Sequence, residues 1–495
     1  MTIAPEALAI LPLIWVIALA ILVVVVDMAW PGRERPVAVV ALVGILIGIG
    51  LAVAAGGNGT IEDAFGGAYR RDSLTTFLDV LFLGIGLLTI LFSPDYLRAR
   101  DYPLGEYIAT LLFAISGAML IGGAHDLLVL FLGLELLVLP GYMLVAYAKR
   151  DGLATEGAIK YFLLGSFSSA IFLFGLAFTW GLTGSTRTEV VAQALERAAS
   201  GGGLSAGLAM GLALMTTGVC FKIAAVPFHY WTPDAYQGSP TPVTAYLSTG
   251  PKAAAFALII RLFAQALAPV RADWVAAVVI ISAITMTLGN LVALTQDNIK
   301  RMLAYSSIAH TGYILVGLAA FAGAAAGSPA ARAGIEGILF YLAAYAVMNL
   351  GAFAVVAALQ SRPGVTSQIS TFAGLGRREP FLGALMMLFL LSLTGIPPLA
   401  GFFAKAYVIT AALQVGGWVA VLAVLTVLNA AMAAFYYLRV VVVMYMQDAP
   451  ANAQPVRNGA MMRAGLILAA VGTIIIGLIP GLVIPMAQAA ASAIH

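Results

Sequence analysis

Apolar runs of about 20 residues recur along the whole chain, and the short stretches between them gather most of its charges. A run of that length crosses the ~30 Å of hydrocarbon in a bilayer as a helix. A helix also bonds its own backbone where no water is available to do so. Fourteen spans are predicted, over residues 7–29, 37–56, 74–93, 107–124, 127–148, 160–182, 204–228, 240–266, 274–294, 302–323, 334–358, 381–413, 417–446 and 464–488. The first run follows Glu6 instead of a basic leader and precedes arginines, so it reads as a span and not as a signal peptide. The expected fold class is therefore an all-α polytopic membrane protein with about 14 transmembrane helices.

Two spans carry interruptions. The twelfth run is too long for one crossing, and Pro397 and Pro398 cut it just before Lys405. The seventh contains Lys222 and then Pro227. Proline removes a backbone donor and clashes with the preceding turn, so each site should free carbonyls inside the membrane. The interruptions stand five spans apart, which predicts two five-helix repeats, each with one broken helix, over 107–268 and 269–446. An odd repeat length inverts the second relative to the first, an arrangement typical of transporters. Residues 1–106 then form three preceding helices, and 447–495 a loop and the last span.

Composition agrees: 62% of residues are hydrophobic and 9% charged, with a mean hydropathy of +1.01, where soluble domains carry about one-quarter charged residues. Cys220 is the single cysteine, so no disulfide framework and no metal or iron–sulfur site is expected. The four histidines (His125, His229, His310, His495) offer no obvious haem pair. Ions, not electrons, are the expected cargo. With the N-terminus outside, the cytoplasmic loops hold Arg33, Arg35, Arg98, Arg100, Lys149, Arg150, Lys300, Arg301, Arg362, Arg377, Arg378, Arg457 and Arg463. The opposite loops hold Arg70, Arg71, Arg187, Arg197, Arg271 and Arg332. Thirteen against six satisfies the positive-inside rule and places both termini outside. Trp30, Trp180, Trp231, Trp274 and Trp418 lie near span ends, as an aromatic belt requires.

The candidate chemistry is a set of ionisable groups inside these runs: Glu135, Lys222, Lys252 and Lys405, with Lys160 at the mouth of the sixth span. A charge at bilayer centre costs roughly 2.5–3.5 kcal/mol on insertion scales, so such groups mark functional paths. Lys160 equally fits an ordinary lysine snorkelling to a boundary. His229 and His310 are candidate relays or satisfied polar residues. Arg261 and Arg439, near span ends, read as structural, and Gly44/Gly48 and Gly207/Gly211 as packing faces.

The stretch VPFHYWTPDAYQGSPTPVTAYLSTGPK (226–252), preceded by Lys222, resembles the signature of the antiporter-like membrane subunits of respiratory complex I and of the multisubunit sodium/proton antiporters. The resemblance extends to the run around Glu135, to QDNIKRMLAYSSIAHTGY (296–313) and to SLTGIPPLAGFFAKAYV (392–408). Within the family it is nearest to the N-type subunits of bacterial NADH-quinone oxidoreductase. The Tyr-Gln-Gly wording, a lysine at 405 where M-type members have glutamate, and a chain ending soon after span fourteen all favour that type.

The resemblance implies a translocase subunit working in a bacterial inner membrane beside further antiporter-like subunits. NADH, FMN, iron–sulfur clusters and quinone are implied in partner subunits, with no cofactor and no nucleic acid for this chain. It also implies a horizontal relay in which Glu135 pairs with Lys222, Lys252 is the central link with His229 on its cytoplasmic side, and Lys405 projects into a hydrated cavity toward the outside. The alternatives are a sodium/proton antiporter subunit and a membrane scaffold with an inactive path.

Overall fold

A computed structural model describes residues 5–56, 62–362, 365–449 and 458–494; Arg457 and His495 lie outside the described residues. Three helices come first: α1 (Pro5–Ala29), α2 (Glu34–Gly56) and α3 (Ser73–Arg98). A small hairpin of β1 (Glu62–Ala64) and β2 (Tyr69–Arg71) sits between α2 and α3. Then come α4 (Leu104–Gly123), α5 (Leu127–Val145), α6 (Gly152–Thr183), the short amphipathic α7 (Thr188–Ser200), α8 (Ala206–Lys222), α9 (Trp231–Gly238) and α10 (Thr241–Arg261). The second half comprises α11 (Arg271–Ala293), α12 (Ile299–Gly323), α13 (Pro329–Gln360), α14 (Leu375–Arg378), α15 (Pro380–Thr394), α16 (Ala400–Val415) and α17 (Val421–Met446). The last are α18 (Ala460–Leu478) and α19 (Ile484–Ser492).

Twelve of the described helices are long and apolar enough to cross a membrane. The two remaining crossings are the broken ones, α8/α9 and α15/α16, so the fourteen expected spans are accounted for. Both breaks fall at the prolines singled out above, with cis peptide bonds at Val226–Pro227 and Pro397–Pro398. Helices α10, α12 and α13 are buried almost all round, whereas α2, α6, α17 and α18 leave wide apolar faces outward. Ile159, Phe162, Leu163, Phe167 and Phe174 line one such face on α6, a surface that suits lipid.

The five-helix repeat has a fixed register. A Cβ on Gly117 of α4 would meet the backbone nitrogen of Leu137 in α5 at 2.3 Å, and one on Gly289 of α11 would meet that of Ala309 in α12 at 2.6 Å. These tight crossings stand 172 residues apart, and so do the residues that cap α5 and α12, Asp126 and Asn298. Each cap also forms an isolated antiparallel bridge, Asp126 with Arg187 and Asn298 with Gln368. Since five crossings separate the copies, the two caps lie at opposite ends of the bundle.

Two expectations about loop charges change. Arg71 and Lys300, counted with the solvent-facing loops, are both buried. Trp231 is also buried; its indole donates to the Phe221 carbonyl (3.1 Å) at the end of α8, which also accepts from the Ala224 N–H (3.0 Å).

Candidate functional site: a line of buried lysines

The backbone freed at the breaks organises the site. At the first break, Thr311 donates to the Ile223 carbonyl (2.8 Å), and the Val226 N–H donates to Thr285 (3.0 Å). Both partners come from the second repeat, which therefore holds the first repeat's broken helix in place.

Lys222 ends α8 and donates to the hydroxyl of Ser169 (3.0 Å) and the carbonyl of Gly165 (3.4 Å) on α6. Glu135 on α5 lies within electrostatic reach of it, but no ion pair joins them among the described residues. The buried Oε1 of Glu135 has no hydrogen-bond partner. The expected direct pair is thus a through-space relation. Between Lys222 and Lys252 lies a small cavity of about 10 Å³, lined also by Leu134, Tyr161, Trp231 and Tyr236. That is room for about one water.

Lys252, on the fully buried α10, donates to both the hydroxyl (2.6 Å) and the carbonyl of Ser307. Ser307 stands 172 residues after Glu135, so it occupies the acid's place in the second repeat. His310 follows one turn later on α12. Its Nδ1 meets the Tyr341 hydroxyl at 2.7 Å and its Nε2 the Tyr437 hydroxyl at 3.4 Å. His310 also lies within electrostatic reach of Lys252 and Lys405. Aromatic rings complete the bracket: Lys252 over Tyr345 at 5.6 Å and Lys405 over Tyr313 at 5.4 Å. The centroid of the His310 ring is 4.9 Å from that of Tyr345 and 5.5 Å from that of Tyr313.

Lys405 lies at the second break. It is 5% exposed and turns back on the break, donating to the carbonyls of Leu393 (2.7 Å) and Thr394 (2.9 Å) at the end of α15. Lys300 behaves similarly, donating to Gln237 (3.0 Å) and Ser239 (2.5 Å) at the end of α9. A helix C-terminus carries about half a negative charge, so these ammoniums are held by carbonyl dipoles and not by carboxylates. A proton can then depart without stranding a buried anion.

Two candidates stand apart from this line. Lys160 is half-exposed and bonded to Glu156 (2.6 Å) and Asp234 (2.6 Å), and Asp234 is shared with Arg301 (2.7 Å). His229 is buried beside the first break, stacked on Tyr230, with Nδ1 lacking a partner.

Sequence reasoning missed several participants. Ser307, Tyr341, Tyr345 and Tyr437 are ordinary residues in apolar runs, and only their packing marks them. A second buried cluster lies at the α10 end: Arg261 bonds Asp72 through its two terminal nitrogens (2.9 and 3.0 Å), and also Thr75 (2.9 Å), the Gly122 carbonyl (2.9 Å) and His125 Nε2 (3.2 Å). Burial would raise the Asp72 carboxyl, but the Arg261 guanidinium outweighs it and holds the group below the usual range. Burial and then Arg261 push the His125 imidazole down to about 3. Nearby, Arg71 pairs with Asp79 of α3 at 2.8 Å with both side chains fully buried. This cluster fastens α3 to the helix that carries Lys252.

An inverted pair of five-helix units, each with a broken helix beside a buried lysine, defines an antiporter-like membrane subunit. Residues 124–429 match the family described as NADH:quinone oxidoreductase/Mrp antiporter, TM, and the chain belongs to that family. It is 40% identical over 97% of its length to NADH-quinone oxidoreductase subunit N of Trichlorobacter lovleyi, covering 96% of that protein. Among solved structures it superposes on a chain of respiratory complex I from Thermus thermophilus with bound aureothin. The TM-score is 0.78 and the identity 32%, with 96% of this chain and 99% of the other covered. A chain of the Mrp complex from a Dietzia species shares the fold, with a TM-score of 0.85 at 21% identity over 100% of this chain and 98% of the other.

Proposed function

We propose that this chain is the N-type proton-translocating subunit of a bacterial NADH-quinone oxidoreductase, working through a horizontal line of buried lysines. The observation that carries the reading is that line itself, on a chain 40% identical over nearly its full length to a subunit N. Protons enter the first repeat (107–268) near Lys222, with Glu135 tuning that site through space. The cavity water links Lys222 to Lys252, and Ser307 and His310 link Lys252 to Lys405 in the second repeat (269–446). Each link changes charge in turn, with carbonyls holding the ammonium whenever it is charged. Moving one charge against 100 mV costs about 2.3 kcal/mol, a scale that the rearrangement of one buried charge can supply.

The energy comes from partner subunits, which carry NADH, FMN, the iron–sulfur clusters and quinone. The chain sits in the inner membrane beside other antiporter-like subunits, with both termini on the periplasmic side. The sodium/proton antiporter reading gains no support from the Mrp likeness, which is one of fold. Purification of the native complex tests the proposal. Co-migrating flavin and iron–sulfur subunits, with NADH-driven acidification of inverted membrane vesicles, are expected. Co-migration with small membrane subunits alone, and sodium-dependent exchange without NADH, would overturn it.

A further inference from the structure

Beyond Lys405 the line needs a way out, and in the second repeat the acid inside α13 is not yet used. Glu336 lies inside the α13 span, half-buried. It stands seven residues past Pro329, about 10 Å along the helix. With 32 residues, α13 is about 48 Å long, far more than the ~30 Å of hydrocarbon. If the helix is centred in the bilayer, Glu336 sits where the hydrocarbon gives way to the outer interface.

The packing aims it at the lysine's helix. A Cβ on Gly337 would meet Val408 of α16 at 3.1 Å, and the Phe340 ring lies edge-on to Tyr407 at 4.8 Å. Glu336 and Phe340 share one face of α13, being four residues apart. Tyr407 accordingly lies within electrostatic reach of Glu336. Helices α13 and α16 run in opposite directions, so moving outward from Lys405 along α16 leads to Tyr407 and Val408 and thus to the turn of α13 that holds Glu336. One turn further in, Tyr341 bonds His310.

We infer that Glu336 is the outward proton acceptor of the second repeat, taking the proton released by Lys405 and passing it to water at the outer surface. The inference rests on the reading of Lys405 as a relay group. The proton balance is simple: the ammonium loses one proton, water in the gap between the two groups carries it, the carboxylate gains it, and interfacial water removes it.

The test measures vesicle acidification per NADH oxidised, a ratio independent of complex content, in the assembled complex carrying Glu336→Gln, Glu336→Asp or Lys405→Ala. Glutamine is expected to lower the ratio as far as Lys405→Ala does, and aspartate to restore most of it. A wild-type ratio in Glu336→Gln alongside a lowered ratio in Lys405→Ala would remove Glu336 from the path while leaving the relay reading intact. Equal loss in Glu336→Gln and Glu336→Asp would also overturn it, since a residue needed for shape and not for its carboxylate would behave so. A wild-type ratio in Lys405→Ala would overturn the relay reading itself, and this inference with it.

Discussion

Replacing Lys405 separates a proton carrier from a structural cation. In the native chain the ammonium satisfies two carbonyls at the end of α15, Leu393 at 2.7 Å and Thr394 at 2.9 Å, while 5% exposed. Lys405→Ala orphans both, at about 1–3 kcal/mol each unless water enters. A local cost of about 2–6 kcal/mol follows, which weakens the break but need not prevent assembly. Lys405→Arg keeps the positive charge and the donors. What it loses is the ability to let go of a proton. Free arginine and lysine differ by about 2 to 3.4 pKa units, at 1.36 kcal/mol each, so release from arginine is about 100- to 2,500-fold less favourable. A carrier therefore predicts that Lys405→Arg pumps no better than Lys405→Ala. A structural cation predicts the reverse, with arginine near wild type and alanine impaired. NADH oxidation and dye-reported acidification should be followed together in inverted vesicles at matched complex content. Full pumping by Lys405→Arg would refute the reasoning.

Two further outcomes are expected. Glu135→Ala and Lys222→Ala should each assemble but lose much of NADH-driven pumping, with Glu135→Asp milder; a normal proton-to-electron ratio in either alanine variant would count against the relay. Arg261→Leu should leave Asp72 unpaired in a buried site and destabilise the subunit by about 3–5 kcal/mol, read as a lower unfolding temperature of the purified complex. Asp72→Asn together with Arg261→Leu should recover part of that loss, and an unchanged unfolding temperature in the single variant would show that the cluster bears no load.

The sequence by itself determined the class of protein, the fourteen crossings, the two break points and four ionisable groups inside apolar runs, Glu135, Lys222, Lys252 and Lys405. Each of these is a local property: hydropathy is read over one window, a proline breaks its own helix, and a charge inside an apolar run stands out from its neighbours. Only the tertiary structure decided which groups meet. Lys252 and Glu135 are equally conspicuous in the sequence, yet Lys252 is held by Ser307, a serine with no local signal that occupies the repeat position of Glu135. Lys300 sits next to Arg301 and reads as a loop charge, but Asn298 starts α12 so that Lys300 reaches the end of α9. Lys405 turns toward carbonyls because the break beside it frees them. The Lys252 and Lys300 contacts join residues 55 to 63 apart, where crossing geometry set by close approaches such as Gly117 and Gly289 fixes the register. No helix-length window contains both partners of Lys252 or of Lys300, and the Lys405 contacts, though they span only 12 and 11 residues, depend on how α16 folds back on α15, so these pairings became visible only when the helices were packed.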